Sequence, residues 1–301
     1  MSDGSLDDDA VASYREAGGI LVDAMNEARE MVEPGRTHLE VAEWAEDYIR
    51  EHDAGIAFPV NLSIDEEASH ATPGRDDDTE FGEEMVCLDI GVHVDGYIAD
   101  AAVTVDHTGN TELAEAAEMA LEAAVDEAGP GVEVGTVGAA IEDVIRGYGF
   151  TPVLNLSGHG VQQYDAHTGP NVPNRGVDRS VELEPGHVVA IEPFATDGRG
   201  KVGEGTAEEI FELQRDKSVR DRRARQALEE INEFDDLPFA ARWLEGDGAE
   251  MALQRLKRQN VIKGYPVLKE ADDALVSQAE HTMIITEDGI DVTTAGIHSF
   301  D

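Results

Sequence analysis

An internal repeat constrains this chain more than any other feature of its 301 residues. Laid over one another, PGRTHLEVAEWAEDYIR (Pro34 to Arg50) and PGVEVGTVGAAIEDVIR (Pro130 to Arg146) share Pro, Gly, Val, Glu, Asp, Ile and Arg at the same offsets. Each copy is followed by an Asn-Leu-Ser triplet, Asn61 to Ser63 and Asn155 to Ser157, then by a Gly- or acid-rich turn and an apolar run, VCLD or VAIE. A duplicated unit buries its apolar face against its sister, so two related halves sharing one cleft are expected. The two runs end in Asp89 and Glu192, so each half delivers a carboxylate to an equivalent place.

Periodicity predicts helices over Asp8 to Val32 and Leu39 to His52, separated by the Pro34-Gly35 turn, with Thr37 or His38 near the second cap. Beyond Glu192, the stretches Ser218 to Phe234, Phe239 to Leu244 and Ala249 to Asn260 read as short helices of an inserted unit. Extended chain resumes near Tyr265 and Glu280, and HTMIITEDGIDVTT reads as two strands about an Asp-Gly turn.

Acidic residues outnumber basic ones 65 to 22, giving a formal charge of −43 spread along the whole chain. Such repulsion strains a compact state at ordinary ionic strength, whereas about 1 M salt shortens the Debye length to roughly 3 Å. A halophilic cytosol is the expected setting, and the sign of the charge argues against direct nucleic-acid binding. No run approaches the roughly 18 apolar residues of a membrane span, and MSDGSLDDDA lacks the parts of a signal peptide. A cytoplasmic protein with no membrane attachment is expected. The single cysteine, Cys87, leaves no intrachain disulfide and reads as a small buried hydrophobe.

The chain has no GxSxG elbow, no HExxH and no GxGxxG after a strand, and Gly200-Lys201 lacks the rest of a phosphate loop. What remains is a set of acids and histidines on apolar segments. Asp89 and Asp100 each read as the end of a strand, joined through the Asp95-Gly96 turn; His159 lies between two glycines, with His167 further along the same stretch. Glu192 closes HVVAIEP, and Glu280 sits in VSQAEHTMII. Carboxylates beside such strands are costly to bury alone. Four acids and one imidazole suit two hard or borderline divalent ions bridged by carboxylates. His93 and His281 read as structural.

In this order and context, Asp89, Asp100, His159, Glu192 and Glu280 resemble the five metal ligands of the methionine aminopeptidases, and the likeness spans nearly the whole chain after the acidic N-terminus. FPVNLSIDEEASHATP, LPFAARWL and GYPVLKE resemble further family segments, and the long stretch between Glu192 and Glu280 favours the type II, archaeal kind. The resemblance implies an α/β (α+β), duplicated pita-bread fold with a mixed, mainly antiparallel sheet over residues 1–209 and 263–301. A helical, winged-helix-like insertion is implied at 210–262. Asp89 is implied to chelate one divalent ion (Co, Mn, Fe or Zn), Asp100 and Glu280 to bridge two, and His159 with Glu192 to complete the second. Glu192 is implied to shuttle protons, while His70 and His167 bind the scissile amide and stabilise the tetrahedral intermediate. Phe58, Tyr265 and the neighbourhood of Ala166 match walls of a pocket for the methionine side chain. The implied activity is removal of the initiator methionine from nascent polypeptides near the ribosome, by a monomer. Thr168 and Asp165 depart from the family pattern and put substrate affinity in question, not the metal site. Two alternatives use the same fold: a proline dipeptidase, whose kind has a sizeable extra domain before the first ligand, and a non-catalytic ribosome- or RNA-binding adapter, whose kind has lost ligands.

Overall fold

A computed structural model describes residues 6–215, 219–246 and 248–297. The first half opens with helices α1 (Asp8–Met31) and α2 (His38–Glu51). Both starts are written in the sequence. Asp7 Oδ1 accepts the N–H of Ala10 at 2.8 Å, and Thr37 and Glu40 satisfy each other's backbone in a capping box. The chain continues through β1 (Gly55–Ile64), β2 (Glu67–Ser69) and a long hairpin, β3 (Met85–Val94) and β4 (Tyr97–Asp106). β3 lies between β1 and β4. Leu21 and Met25 of α1 and Val41 and Ile49 of α2 close over Leu88, Ile90 and Ala101 of the hairpin.

The second half repeats the plan with α3 (Thr111–Glu127) and α4 (Val134–Gly147), and α4 occupies the same stretch of the repeat as α2. The strands β5 (Thr151–Pro152), β6 (Ser157–Gln162), β7 (Asp165–Pro173), β8 (Val188–Ile191), β9 (Phe194–Thr196) and β10 (Gly203–Glu204) follow. Next come β11 (Ile210–Leu213), α5 (Arg222–Ile231), β12 (Phe239–Ala240), α6 (Ala249–Arg258) and β13 (Ile262–Tyr265). The chain closes with β14 (Leu268–Lys269), β15 (Val276–Gln278) and the expected hairpin, β16 (His281–Ile285) and β17 (Ile290–Val292). A sheet of order β17-β16-β8-β6-β7 packs Val189, Ile191 and Met283 against Leu113, Ala117, Val137 and Ile141 of the second helix pair. Each half is therefore a helix pair backing an antiparallel sheet. No helix among the described residues is long and apolar enough to cross a membrane.

Three expectations are corrected. Every ladder among the described residues is antiparallel, so the sheets are not mixed there. Phe239 to Leu244 is not a helix: Phe239 and Ala240 pair with Phe211 and Ile210, and a 3-10 turn follows at Ala241–Trp243. Pro238 favours extended chain on both its sides, and the fully buried Phe239 ring fills the centre of a separate apolar cluster with Phe211, Leu228 and Leu253. The helix expected from Ser218, which lies outside the described residues, starts at Arg222, where Asp221 Oδ1 caps the N–H groups of Arg223 and Ala224.

Candidate metal centre

Asp89 and Asp100 stand inside β3 and β4, not at their ends as expected, because the ladder runs unbroken from Met85–Asp106 to Val94–Tyr97. Asp100 is opposite Gly91 and Asp89 opposite Ala102, a diagonal that puts both side chains on one face. A Cβ on Gly91 would fall 2.2 Å from Phe58 Cε1, so glycine is what allows the phenyl ring to lie over the hairpin. Glu192 follows β8 directly, and Glu280 joins β15 to β16, its N–H bonded to Ala102 O at 3.0 Å. His159 lies in β6 beside Ala190 of β8. Its flanking glycines serve the backbone: a Cβ at Gly158 would meet Ala190 O at 2.4 Å, and one at Gly160 would meet Gly169 O at 2.3 Å.

These elements bring ligand atoms of Asp100, His159 and Glu280 within 4.8 Å of one another. His159 Nε2 lies 3.8 Å from Asp100 Oδ2 and 3.6 Å from Glu192 Oε1. The ring's other nitrogen is 3.2 Å from Gly160 O; a carbonyl only accepts, so Nδ1 carries the proton and the Nε2 lone pair faces the carboxylates. Burial, reinforced by His167, pushes this imidazole down to about 3, so it is neutral. Burial also pushes Asp89 up to about 7. Asp100, Glu192 and Glu280 are raised well above the carboxylate range, first by burial and then by repulsion from one another. Asp89 Oδ1, Asp100 Oδ1 and Glu280 Oε1 are buried without hydrogen-bond partners, while Glu280 Oε2 accepts from Gln278 Nε2 at 3.1 Å. Carboxyl groups raised in this way hold their protons near neutral pH unless positive charge stands among them to favour the carboxylates. The donor set therefore fits a divalent metal.

The cluster forms the floor of a cleft of about 230 Å³ whose walls include Phe58, His70, His167 and Tyr265. His70 has a left-handed backbone, φ 64°, which a non-glycine residue holds only where its surroundings impose it. Its Nδ1 lies 3.3 Å from Pro266 O, its ring is edge-on to Tyr265 at 5.2 Å, and burial pushes it down to about 4. The ring of His167 is 4.4 Å from that of His159, and burial lowers it too. Ala166 is not among the lining residues. Alternation along β7 turns it away from the cleft, into a buried apolar cluster with Phe58, Ile98 and Val161.

Sequence reading missed Asn61, Asn155, Ser157 and Phe194 on the cleft wall, although the duplicated Asn-Leu-Ser triplets pointed to the first three. It also missed Ile210 and Pro238, which reach the cleft from beyond the second half and carry no local signal. The other histidines near the acids have structural partners: His93 Nδ1 accepts from Gly96 N at 3.2 Å, and His281 Nδ1 lies 2.8 Å from Thr294 Oγ1.

The model of metallopeptidase family M24 matches residues 12–220. A methionine aminopeptidase of Archaeoglobus fulgidus is 48% identical over 96% of this chain and 100% of its own length. One from Methanocaldococcus jannaschii is 44% identical over 93% of this chain and 96% of its own. Among solved structures, a thermophilic Arx1 gives a TM-score of 0.87 at 19% identity, covering 99% of this chain and 93% of that one. A methionine aminopeptidase of Thermotoga maritima gives 0.69 at 22% identity, covering 96% and 98%. A prolidase from Pyrococcus furiosus gives 0.64 at 17% identity, covering 98% of this chain but 65% of its own. At such identities the solved structures establish the fold, a duplicated pita bread, and no more. With the family model over most of its length and archaeal relatives aligned almost from end to end, the chain belongs to the M24 metallopeptidases and, within them, to the methionine aminopeptidases.

Proposed function

We propose that this chain is a type II enzyme that removes the initiator methionine from nascent polypeptides, with two divalent ions held by Asp89, Asp100, His159, Glu192 and Glu280. The observation that carries the reading is the neutral His159 ring, whose Nε2 lone pair faces Asp100 and Glu192 at 3.8 and 3.6 Å. When bound, divalent ions would supply Lewis acidity and a nucleophile drawn from water near neutral pH. Asp89, Asp100, Glu280, His159 and Glu192 would together hold them, with Asp100, His159 and Glu280 offering the ligand atoms that lie nearest one another.

Glu192, which lines the cleft 3.6 Å from His159, takes the proton given up by the attacking water and returns it to the leaving amine. The Nδ1–H of His70 is committed to Pro266 O, so in the neutral ring Nε2 is the acceptor for the scissile amide N–H. His167 donates to the carbonyl oxygen as charge develops there. Phe58 and Tyr265 wall the apolar end that accepts the thioether, and Ala166 supports Phe58 from behind. Residues 210–262 form the type II insertion, which adds Ile210 and Pro238 to the wall. Co, Mn, Fe and Zn all suit the ligand set. A monomer working in a salt-rich cytoplasm near the ribosome completes the reading.

Metal analysis combined with an assay on Met-Ala-Ser and Ala-Pro peptides in KCl tests it. Cleavage of the first peptide alone is the expected result. Cleavage of Ala-Pro alone would transfer the chain to the proline dipeptidases, and cleavage of neither to the adapters.

A further inference from the structure

The wall that Pro238 and Ile210 add to the cleft has to be held against the body of the molecule, and apolar packing does only part of this. Leu237 joins the cluster around Phe58, but beside it a cavity of about 200 Å³, lined by Ile56, His93, Asp235, Pro238 and Trp243, leaves the seam partly unfilled. The seam is closed by a buried polar knot. Arg242, 8% exposed, pairs through Nη2 with Glu46 of α2, itself 1% exposed. Arg242 Nη1 donates to Thr72 Oγ1 at 2.7 Å and to Pro73 O at 3.0 Å. The second oxygen of Glu46 accepts from Trp243 Nε1 at 2.7 Å, and its first also receives Val60 N–H at 3.3 Å. Thr72 Oγ1 in turn donates to Val60 O at 2.7 Å.

One ion pair thus ties together three segments that each carry a wall of the cleft. Val60 lies two residues from Phe58, Thr72 lies two residues from the left-handed His70, and Arg242 lies four residues from Pro238. A buried ion pair contributes little net stability compared with apolar residues of similar volume, because desolvation offsets its attraction. Its distinguishing property is directional: five hydrogen bonds with fixed partners define a single docking geometry.

We infer that Glu46 and Arg242 are positioning residues that set the spacing of Phe58, His70 and Pro238, and through it the selectivity of the cleft for the N-terminal side chain. This rests on the aminopeptidase reading above, and cleavage of Met-Ala-Ser by the unaltered protein tests that reading separately. The test compares the unaltered protein with the double variant Glu46→Leu/Arg242→Met, and with Thr72→Val, which keeps the shape but removes the hydroxyl that accepts from Arg242 and donates to Val60 O. Melting temperature, bound metal, and kcat and KM on peptides beginning with Met, norleucine and Leu are measured.

The expected double variant melts within a few degrees of the unaltered protein and binds the same metal. It loses about tenfold in kcat/KM for Met and discriminates less against Leu. Thr72→Val is expected to raise KM several-fold and to lower the melting temperature by a few degrees, since it leaves buried partners of the hydroxyl unpaired. A folded double variant with unaltered kcat/KM and unaltered Met-to-Leu preference overturns the inference. Should the double variant not fold, Thr72→Val decides, and an unchanged KM there has the same consequence.

Discussion

Glu280 has one carboxylate oxygen on Gln278 and the other buried without a partner, and it sits where the two halves of the chain meet. Its replacement by Ala is expected to abolish peptidase activity and lower bound metal together; a variant with full metal and full turnover would remove it from the centre. His167 lies against the ring of His159 but outside the group of close ligand atoms. His167→Ala should reduce kcat by roughly 10²–10³, the range for losing one donor to a developing oxyanion, with metal stoichiometry unchanged. Loss of a metal equivalent would show it to be a ligand.

His93 gives a pH prediction away from the metal. Burial lowers its pKa, outweighing Asp235 and Asp95, and its unprotonated Nδ1 accepts the Gly96 N–H that closes the β3–β4 turn. A histidine whose folded pKa is depressed stabilises fully above its unfolded value of about 6.5 and loses that contribution as pH falls toward the lower folded value. His93→Asn should therefore flatten the loss of stability below about pH 6.5, read from denaturant midpoints across pH. An unchanged acid slope would remove His93 from the balance.

At the scale of elements, the β3–β4 hairpin carries the most information. Its ten paired positions hold two of the acids on one face while the opposite face joins the helical core. Phe58 crosses it at Gly91, the one position opposite Asp100 where no side chain fits. Gly91→Ala forces the ring aside, and overpacking of this kind costs about 1–3 kcal/mol. A raised KM for the methionyl peptide and a lower melting midpoint are expected together. If the alanine is accommodated with both unchanged, Phe58 is not held where it shapes the pocket. The segment from β11 to β13 combines a three-stranded sheet with α5 and α6, so it is less helical than its sequence periodicity suggested.

The charge of the whole molecule is unevenly placed. Eleven of the 22 basic residues fall between Arg215 and Lys263, leaving the rest of the chain overwhelmingly acidic. Screening matters most for that body. At about 0.1 M salt the Debye length is near 10 Å and neighbouring carboxylates still interact, whereas at about 1 M it is roughly 3 Å. Thermal stability is expected to climb with KCl, and to climb more for the metal-free protein, whose clustered carboxylates have no cation among them. Unfolding of both forms from low to molar KCl checks this; a midpoint that stays flat or falls in both would refute the halophilic expectation and leave the family assignment intact.

The sequence alone determined what depends on residue type and local period. The duplicated segments, the Thr37 cap, the terminal hairpin and the gathering of Asp100, His159 and Glu280 were legible, because helix caps, turns and buried carboxylates leave signals a few residues long. The tertiary structure decided what depends on register and on contacts distant in sequence. Asp89 and Asp100 moved from strand ends to strand interiors because hairpin length is set by pairing, and Ala166 turned from the cleft because alternation gives only one of two neighbours to each face. Pro238 on the cleft wall and the Glu46–Arg242 pair, 196 positions apart, had no local signature, since an ion pair of that span exists only once packing has excluded water around both partners.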